Sequence, residues 1–317
     1  MSLRRFIAKR VLLIFPILFG VSVITFALVH ITPGDPVDVV VALNPDISPA
    51  EEARLRGRYG LNDPIWRQYL DWLVGVLQGD FGRVIATDRA VSTVIAERLP
   101  ETVALGIFGW VFAVVIAVPT GIYAAVRKDE LGDHVSRFLA LSGISIPNFW
   151  LGLMLILVGA LTLNLWPVLA PRSPLYAPEM LWYLLLPGIT IGTASASTLM
   201  RIMRSSMAEE MNKEYVTAAR AKGLPERTVV LKHVLRNSLI SVTTVAAFLT
   251  ASIVSGSVVV EQVFGWPGLG RALISAVSNR EIDLILGITL FIGVAIILAN
   301  LVADILYAVL DPRIRYD

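Results

Sequence analysis

Cysteine is absent from this 317-residue chain, which excludes disulfides, thiol nucleophiles and cysteine metal sites. Histidine is almost absent. His30, His134 and His233 are the three it has, about a hundred residues apart and without ligand spacing. Charge is scarce: 16% of residues are charged, against roughly 25% in soluble domains. The net charge of +2 is too small a surplus to point to nucleic acid. No HExxH motif occurs, and no nucleophile–base pair stands within the apolar runs, so an intramembrane enzyme finds no support. Even the dipeptide Gly-Lys is missing. There is therefore no GxxxxGK[ST] loop, and this chain cannot cradle ATP phosphates in a P-loop.

What the chain has in abundance is apolar length. Hydrophobic residues make up 56% and the mean hydropathy is +0.71, a membrane composition. About 20 apolar residues cross the hydrocarbon as a helix, and six runs qualify: Val11–Ile31, Thr102–Val126, Phe138–Leu165, Met180–Met200, Ser238–Val260 and Leu284–Leu310. The third is long for one span and contains Pro147, which predicts a kink there or an interfacial start. The first follows Arg4, Arg5, Lys9 and Arg10 as a secretory signal would. Its apolar stretch is too long for a signal and no small-x-small cleavage site follows, so it reads as an uncleaved span with the N-terminus inside.

Lys and Arg counts support that orientation. The inside segments carry 17 and the outside segments 10, falling to 3 when the long loop 32–99 is set aside. The expectation is an all-α integral membrane protein of six transmembrane helices, with both termini cytoplasmic, in the cell membrane. Its parts are 1–31 (N-terminus and first span), the extracytoplasmic loop 32–99, and a five-span core 100–317 with a cytoplasmic loop 203–236. Within 32–99, Trp66, Tyr69, Leu70 and Leu73 recur at helical spacing and predict a short amphipathic helix lying on the membrane. That loop reads as a folded cap over the spans, or as a docking surface for an external partner.

The segment 203–236 reads as a helix continuing span four, a break, and a second short helix. Met203, Met207 and Met211 recur every four residues, a packing pattern. Ala218, Ala219 and Ala221 favour helix, Gly223 ends it, and Pro225 suits the first turn of the next, with Glu226 near its positive end. Val230, Leu231, Val234 and Leu235 then form an apolar stripe. Such a knuckle is either a solvated loop or a short helix seated in a groove of another protein, where small side chains allow close approach.

Asp304 is the single acid inside an expected span, with Asn300 one turn before it and Tyr307 nearby. An intramembrane acid is a functional hypothesis; near an inner end it can also pair with a Lys or Arg. Span four is rich in small residues, Gly188, Gly192, Ser195, Ser197 and Thr198, which fits close helix packing. The turn around Glu261, Trp266, Pro267 and Gly268 suggests an interfacial or re-entrant loop.

Glu214-Tyr-Val-Thr-Ala-Ala-Arg-Ala-Lys-Gly-Leu224 resembles the EAA loop of ATP-binding-cassette importer permeases, with the Ala-Ala-x-x-x-Gly core at Ala218, Ala219 and Gly223. The resemblance is to the dipeptide/oligopeptide (and nickel) permease family in particular. It extends over nearly the whole chain through Pro33-Gly-Asp-Pro36, Tyr59-Gly-Leu-Asn-Asp-Pro64, Gln68-Tyr-Leu70, Gly79-Asp-Phe-Gly82 and Ser145-Ile-Pro-Asn-Phe-Trp150. Glu261-Gln-Val-Phe-Gly-Trp-Pro-Gly-Leu-Gly270, Asp304-Ile-Leu-Tyr307 and Asp311-Pro-Arg313 continue it. Arg83 and Arg280-Glu281 depart from that family's usual pattern, whereas Arg236-Asn-Ser-Leu239 stands where the generic importer motif carries Leu-Pro and is ordinary within this family.

The resemblance implies a permease subunit paired with a second, similar one in the lipid bilayer. Two cytoplasmic ATPases that bind ATP and Mg would drive it, and an extracytoplasmic binding protein would deliver short peptides. It implies no cofactor in this chain. Glu214, Tyr215, Ala218, Ala219, Arg220, Gly223 and Leu224 would be the element seated in the ATPase. An ion-coupled secondary transporter is the rival reading; it would want midplane charges and inverted halves, and no repeat between 1–160 and 161–317 is visible.

Overall fold

The computed structural model describes residues 3–31, 34–44, 46–167 and 177–310; at 3–9, 36, 43, 251, 252, 254, 255 and 306–310 the description is of backbone alone. Pro33, Asp311-Pro-Arg313 and the cytoplasmic tail expected beyond Leu310 lie outside the described residues. Helices dominate. They are α1 (Leu3–Ile31), α2 (Pro36–Leu43), α3 (Pro49–Arg58), α4 (Ile65–Leu77), α5 (Val91–Val126), α6 (Leu131–Ser145) and α7 (Asn148–Leu155). They continue with α8 (Met180–Glu210), α9 (Glu214–Ala221), α10 (Glu226–Thr228), α11 (Leu235–Val263), α12 (Leu269–Ser278) and α13 (Ile282–Leu310). One departure from the all-α expectation is a minimal antiparallel hairpin, β1 (Arg83–Val84) with β2 (Arg89–Ala90), closed by Asp88 at φ 52°.

Among the described residues, four helices are long and apolar enough to cross a membrane: Arg10–Ile31, Val91–Val126, Met180–Glu210 and Ile282–Ile305. The third expected run is not one straight helix. It breaks at Ile146-Pro147 into α6 and α7, bent by 105°, and counts as a fifth span if the pair is one broken crossing. Pro147 forces this break, because it lacks an N–H and holds the residue before it out of the helical region; Ile146 is extended, at ψ 122°. Beyond α7 the chain continues as a π-helical stretch, Ile156–Thr162. The run expected at Ser238–Val260 falls on α11, whose 29 residues reach about 44 Å.

The chain divides into two compact units. The first comprises residues 1–10, 103–266 and 296–317. At its centre α8 packs against α6, α7 and α11. The small residues read from span four serve close approach. A Cβ on Gly192 would stand 2.5 Å from the carbonyl oxygen of Gly109 on α5, so only glycine lets these two helices meet. Met203 and Met207 are fully buried in this core with Leu199, Val216, Val229 and Val234, as their spacing predicts.

The second unit comprises residues 11–102 and 267–295. Here α4 turns Tyr69, Trp72, Leu73 and Val76 onto Phe26, Leu286 and Leu290. The residues of the expected face therefore divide. Trp66 and Leu70 point away, 65% and 48% exposed, while Trp72 is the buried anchor. Tyr69 also bonds Ser22 through its hydroxyl at 2.9 Å, a polar contact that helical periodicity does not encode.

Two departures from the family pattern have structural work in this second unit. Buried Glu281 accepts from the backbone N–H groups of Ile85 and Ala86 at 2.7 and 2.9 Å, clamping the hairpin. Arg83 donates to the Asp88 carbonyl at 2.8 Å and lies 3.3 Å from its carboxylate. Its backbone N–H is held by Asp283 at 3.2 Å. The residue thus closes the hairpin on itself.

Candidate coupling site

Helix α9 is eight residues long and stops where the chemistry requires. Its last turn closes as a Schellman motif, with Gly223 N–H on the Arg220 carbonyl at 2.9 Å and Leu224 N–H on the Ala219 carbonyl at 3.4 Å. Gly223 occupies the left-handed region at φ 74°, the conformation this motif needs. Pro225 then caps α10 rather than entering its first turn, its carbonyl accepting from Thr228 and Val229.

The two alanines at the centre of the segment face opposite ways. Val216 and Ala219 are buried and pack with Val229, Val230 and Val234. Glu214, Ala218, Arg220, Ala221 and Gly223 are exposed, and Tyr215 and Leu224 are partly so. The outward surface is therefore low at Ala218, Ala221 and Gly223, flanked by Tyr215 and Leu224. A Cβ built on Gly223 meets nothing within 4 Å, so the chain leaves open space over that turn. The apolar stripe after the knuckle differs from expectation. Val229–Val234 is π-helical, which shifts the phase, so Val229, Val230 and Val234 are buried while Leu231 is 45% exposed.

The knuckle is tied to the long helices on both sides. The Tyr215 hydroxyl donates to Glu210 Oε2 at 2.5 Å, at the end of α8, and accepts from Asn237 Nδ2 at 3.0 Å, near the start of α11. Partial burial and the bond to Glu210 raise the Tyr215 phenol above its ordinary range, so it stays protonated and able to donate. Arg220 spans the turn as a bidentate clamp on Glu226, at 2.7 and 3.1 Å. Its guanidinium holds the Glu226 carboxyl below the usual range. α9 is thus hydrogen-bonded through Tyr215 to the ends of both α8 and α11.

Sequence reading did not find the strongest polar contact of this unit. Asp133, fully buried in the first turn of α6, takes Arg204 Nε and Nη2 at 2.5 and 2.6 Å and the Asp129 N–H at 3.0 Å. This fixes α6 to α8 two turns before the knuckle. Asp133 stands in a charged run, Arg127 to His134, and nothing in such a run marks which acid turns inward.

Asp304 is paired. Arg10 Nη1 lies 2.9 Å from its carboxylate, with Asp304 nearly buried and Arg10 about half exposed. Asn300, the other candidate, is half-buried one turn earlier. The structure joins Asp304 to a basic residue and does not bring it to the knuckle residues.

Comparison with known proteins agrees with this architecture. Residues 117–316 match the family model "Binding-protein-dependent transport system inner membrane component", and residues 3–106 match its N-terminal companion. The chain belongs to this family of binding-protein-dependent transport system inner membrane components. It is 38% identical to the oligopeptide transport system permease protein AppB of Bacillus subtilis (strain 168), over 98% of this chain and 99% of that one. It is 36% identical to the dipeptide transport system permease protein DppB of Escherichia coli (strain K12), with the same coverage. It is 38% identical to the glutathione transport system permease protein GsiC of Escherichia coli O1:K1 / APEC, over 98% and 99% of the two chains. In fold it is similar to a chain of the MetNI methionine ABC transporter in an inward-facing conformation, with TM-score 0.55 and 17% identity over 69% of this chain and 96% of that one.

Proposed function

We propose that this chain is the permease subunit of an ATP-driven importer of short peptides, forming half of the pathway with a second, similar subunit. The observation that carries the reading is the α9 knuckle. A low, exposed surface of small residues is held by Tyr215 to both α8 and α11, so a load on the knuckle reaches two core helices at once. Two cytoplasmic ATPases bind ATP and Mg and receive Glu214, Tyr215, Ala218, Arg220, Gly223 and Leu224 in a groove. Ala219 supports that surface from beneath. An extracytoplasmic binding protein delivers the peptide. The permease relatives named above, two of them for peptides and one for glutathione, support the substrate class.

Six spans fit this role: α1, α5, the broken α6–α7 pair, α8, α11 and α13. Both termini are then cytoplasmic, α2–α4 and the hairpin form the extracytoplasmic loop domain, and the knuckle faces the ATPases. Closure of the ATPase dimer on ATP would shift α9, and with it the inner ends of α8 and α11, turning the pathway outward. The ion-coupled alternative rests on Asp304, whose pairing with Arg10 suits a structural part.

The test is co-purification. The chain, tagged and extracted in mild detergent, should bring down a P-loop ATPase and a second permease, identified by mass spectrometry. Recovery alone or as a homodimer, with no ATPase associated, would sink the importer reading.

A further inference from the structure

We propose that the cavity between α6 and α8 is a binding site for an anionic phospholipid, headgroup at the α6 N-terminal end and acyl chain along the rest. It encloses about 690 Å³ in the first unit. The proposal rests on the membrane placement of the chain and not on the coupling role of the knuckle.

The cavity is graded along its length. At one end stand Lys128, Arg137 and Arg201, exposed cations that make no ion pair among the described residues, with His134 beside them. Arg204 also lines the wall, but its charge is spent on buried Asp133. Asp129 takes back one charge, which leaves a net surplus of two over three free cations. Toward the other end of α6 the wall is apolar. Phe138, Leu141 and Ile144 line it, the first two well over half exposed. Arg137, Leu141 and Ile144 follow at i, i+4 and i+7, so basic and apolar groups lie on one helical stripe.

This gradient selects the occupant. A free phosphate or another soluble anion accounts for the cations and leaves the apolar half, which belongs to the span, without a part in binding. A neutral lipid accounts for the apolar half and leaves the cations unmatched. An anionic phospholipid matches both, since each Lys or Arg near a membrane surface attracts it. In the topology proposed above this end of α6 lies at the cytoplasmic face, where the span begins and where headgroups lie. Asp133 contributes by neutralising Arg204 and tying α6 to α8 beside the cavity.

The purified complex would be exposed to equal amounts of phosphatidylglycerol and phosphatidylcholine with the same acyl chains, and retained lipid counted by native mass spectrometry. Wild type should retain phosphatidylglycerol in preference. Arg137→Gln and Arg201→Gln should each cut that preference about fivefold, and the double variant about 30-fold. Glycerol phosphate at millimolar concentration should not displace the lipid. Should the double variant fail to fold, Lys128→Gln in the exposed turn carries the same test. Equal retention of both lipids by wild type, or an unchanged preference in the folded double variant, overturns the proposal. Displacement by glycerol phosphate would assign a soluble-anion site instead. Loss of a protein subunit from the variant at unchanged lipid preference would assign the surface to a protein contact.

Discussion

The hairpin clamp at Glu281 and the knuckle at Gly223 use similar chemistry to opposite ends. In the hairpin the acid is turned inward. Glu281 is buried and spends both carboxylate oxygens on backbone N–H groups of a loop. In the knuckle the ionic pair lies outside, Arg220 on Glu226 across an exposed turn, and what is buried is merely Val216 and Ala219. A buried acid makes a loop rigid. An exposed pair over a small-residue turn shapes a surface and contributes little to holding the fold. The first arrangement is built for stability, the second, on the proposed reading, for a partner.

That contrast is open to test, and the largest effect belongs to the buried acid that ties α6 to α8. Asp133→Ala leaves the Arg204 guanidinium without its partner and should cost about 3–5 kcal/mol. Thermal unfolding in detergent would show it as the steepest loss in this set. Glu281→Ala strands two N–H groups and should cost about 2–4 kcal/mol by the same assay, with transport per folded molecule largely kept. If transport fell first and stability did not, the hairpin would belong with the functional surfaces.

Gly223→Asp should reverse that order. The left-handed backbone costs a non-glycine residue about 1 kcal/mol, and the space around a new Cβ is open. Melting should barely move while ATP-driven uptake by the reconstituted complex is lost. Gly223→Ala is the control that separates backbone strain from added bulk and charge.

Tyr215→Phe removes the hydroxyl that joins α8 to α11 and should cost about 1 kcal/mol, with ATP hydrolysis continuing and uptake per ATP reduced. The smallest effect is Arg220→Ala, under about 1 kcal/mol for an exposed pair. Its sign with pH follows from the lowered Glu226 carboxyl. The pair contributes above the ordinary carboxylate range and is lost as pH falls through the folded value. The difference between wild type and variant should therefore vanish in acid.

Much of this architecture was legible in the sequence because it rests on two strong periodicities, the apolar run and the helix stop. The six runs lie on observed helices, Pro147 breaks the third, and Gly223 takes the positive φ that its place after an alanine-rich helix predicts. What escaped depends on direction rather than spacing. Ala218 and Ala219 are adjacent letters of one type, and only the packing of Val216 and Ala219 onto Val229 and Val234 tells them apart. Spacing likewise does not single out Trp72 on α4, which is buried while Trp66 is not, through contacts with α1 and α13 that lie far away in sequence. Asp133 could not be separated from its charged neighbours until Arg204, 71 residues later, was seen to meet it.

The absence of cysteine makes the central claim directly measurable. Single Ala218→Cys and Ala219→Cys variants would be prepared in the full complex, beside the same chains freed of the ATPase, and their maleimide labelling rates compared. The account predicts that Ala218→Cys labels fast in the free chain and is protected when the ATPase is bound, while Ala219→Cys labels slowly in both. Equal, rapid labelling of Ala218→Cys with and without the ATPase would contradict the seating of this knuckle in a partner groove.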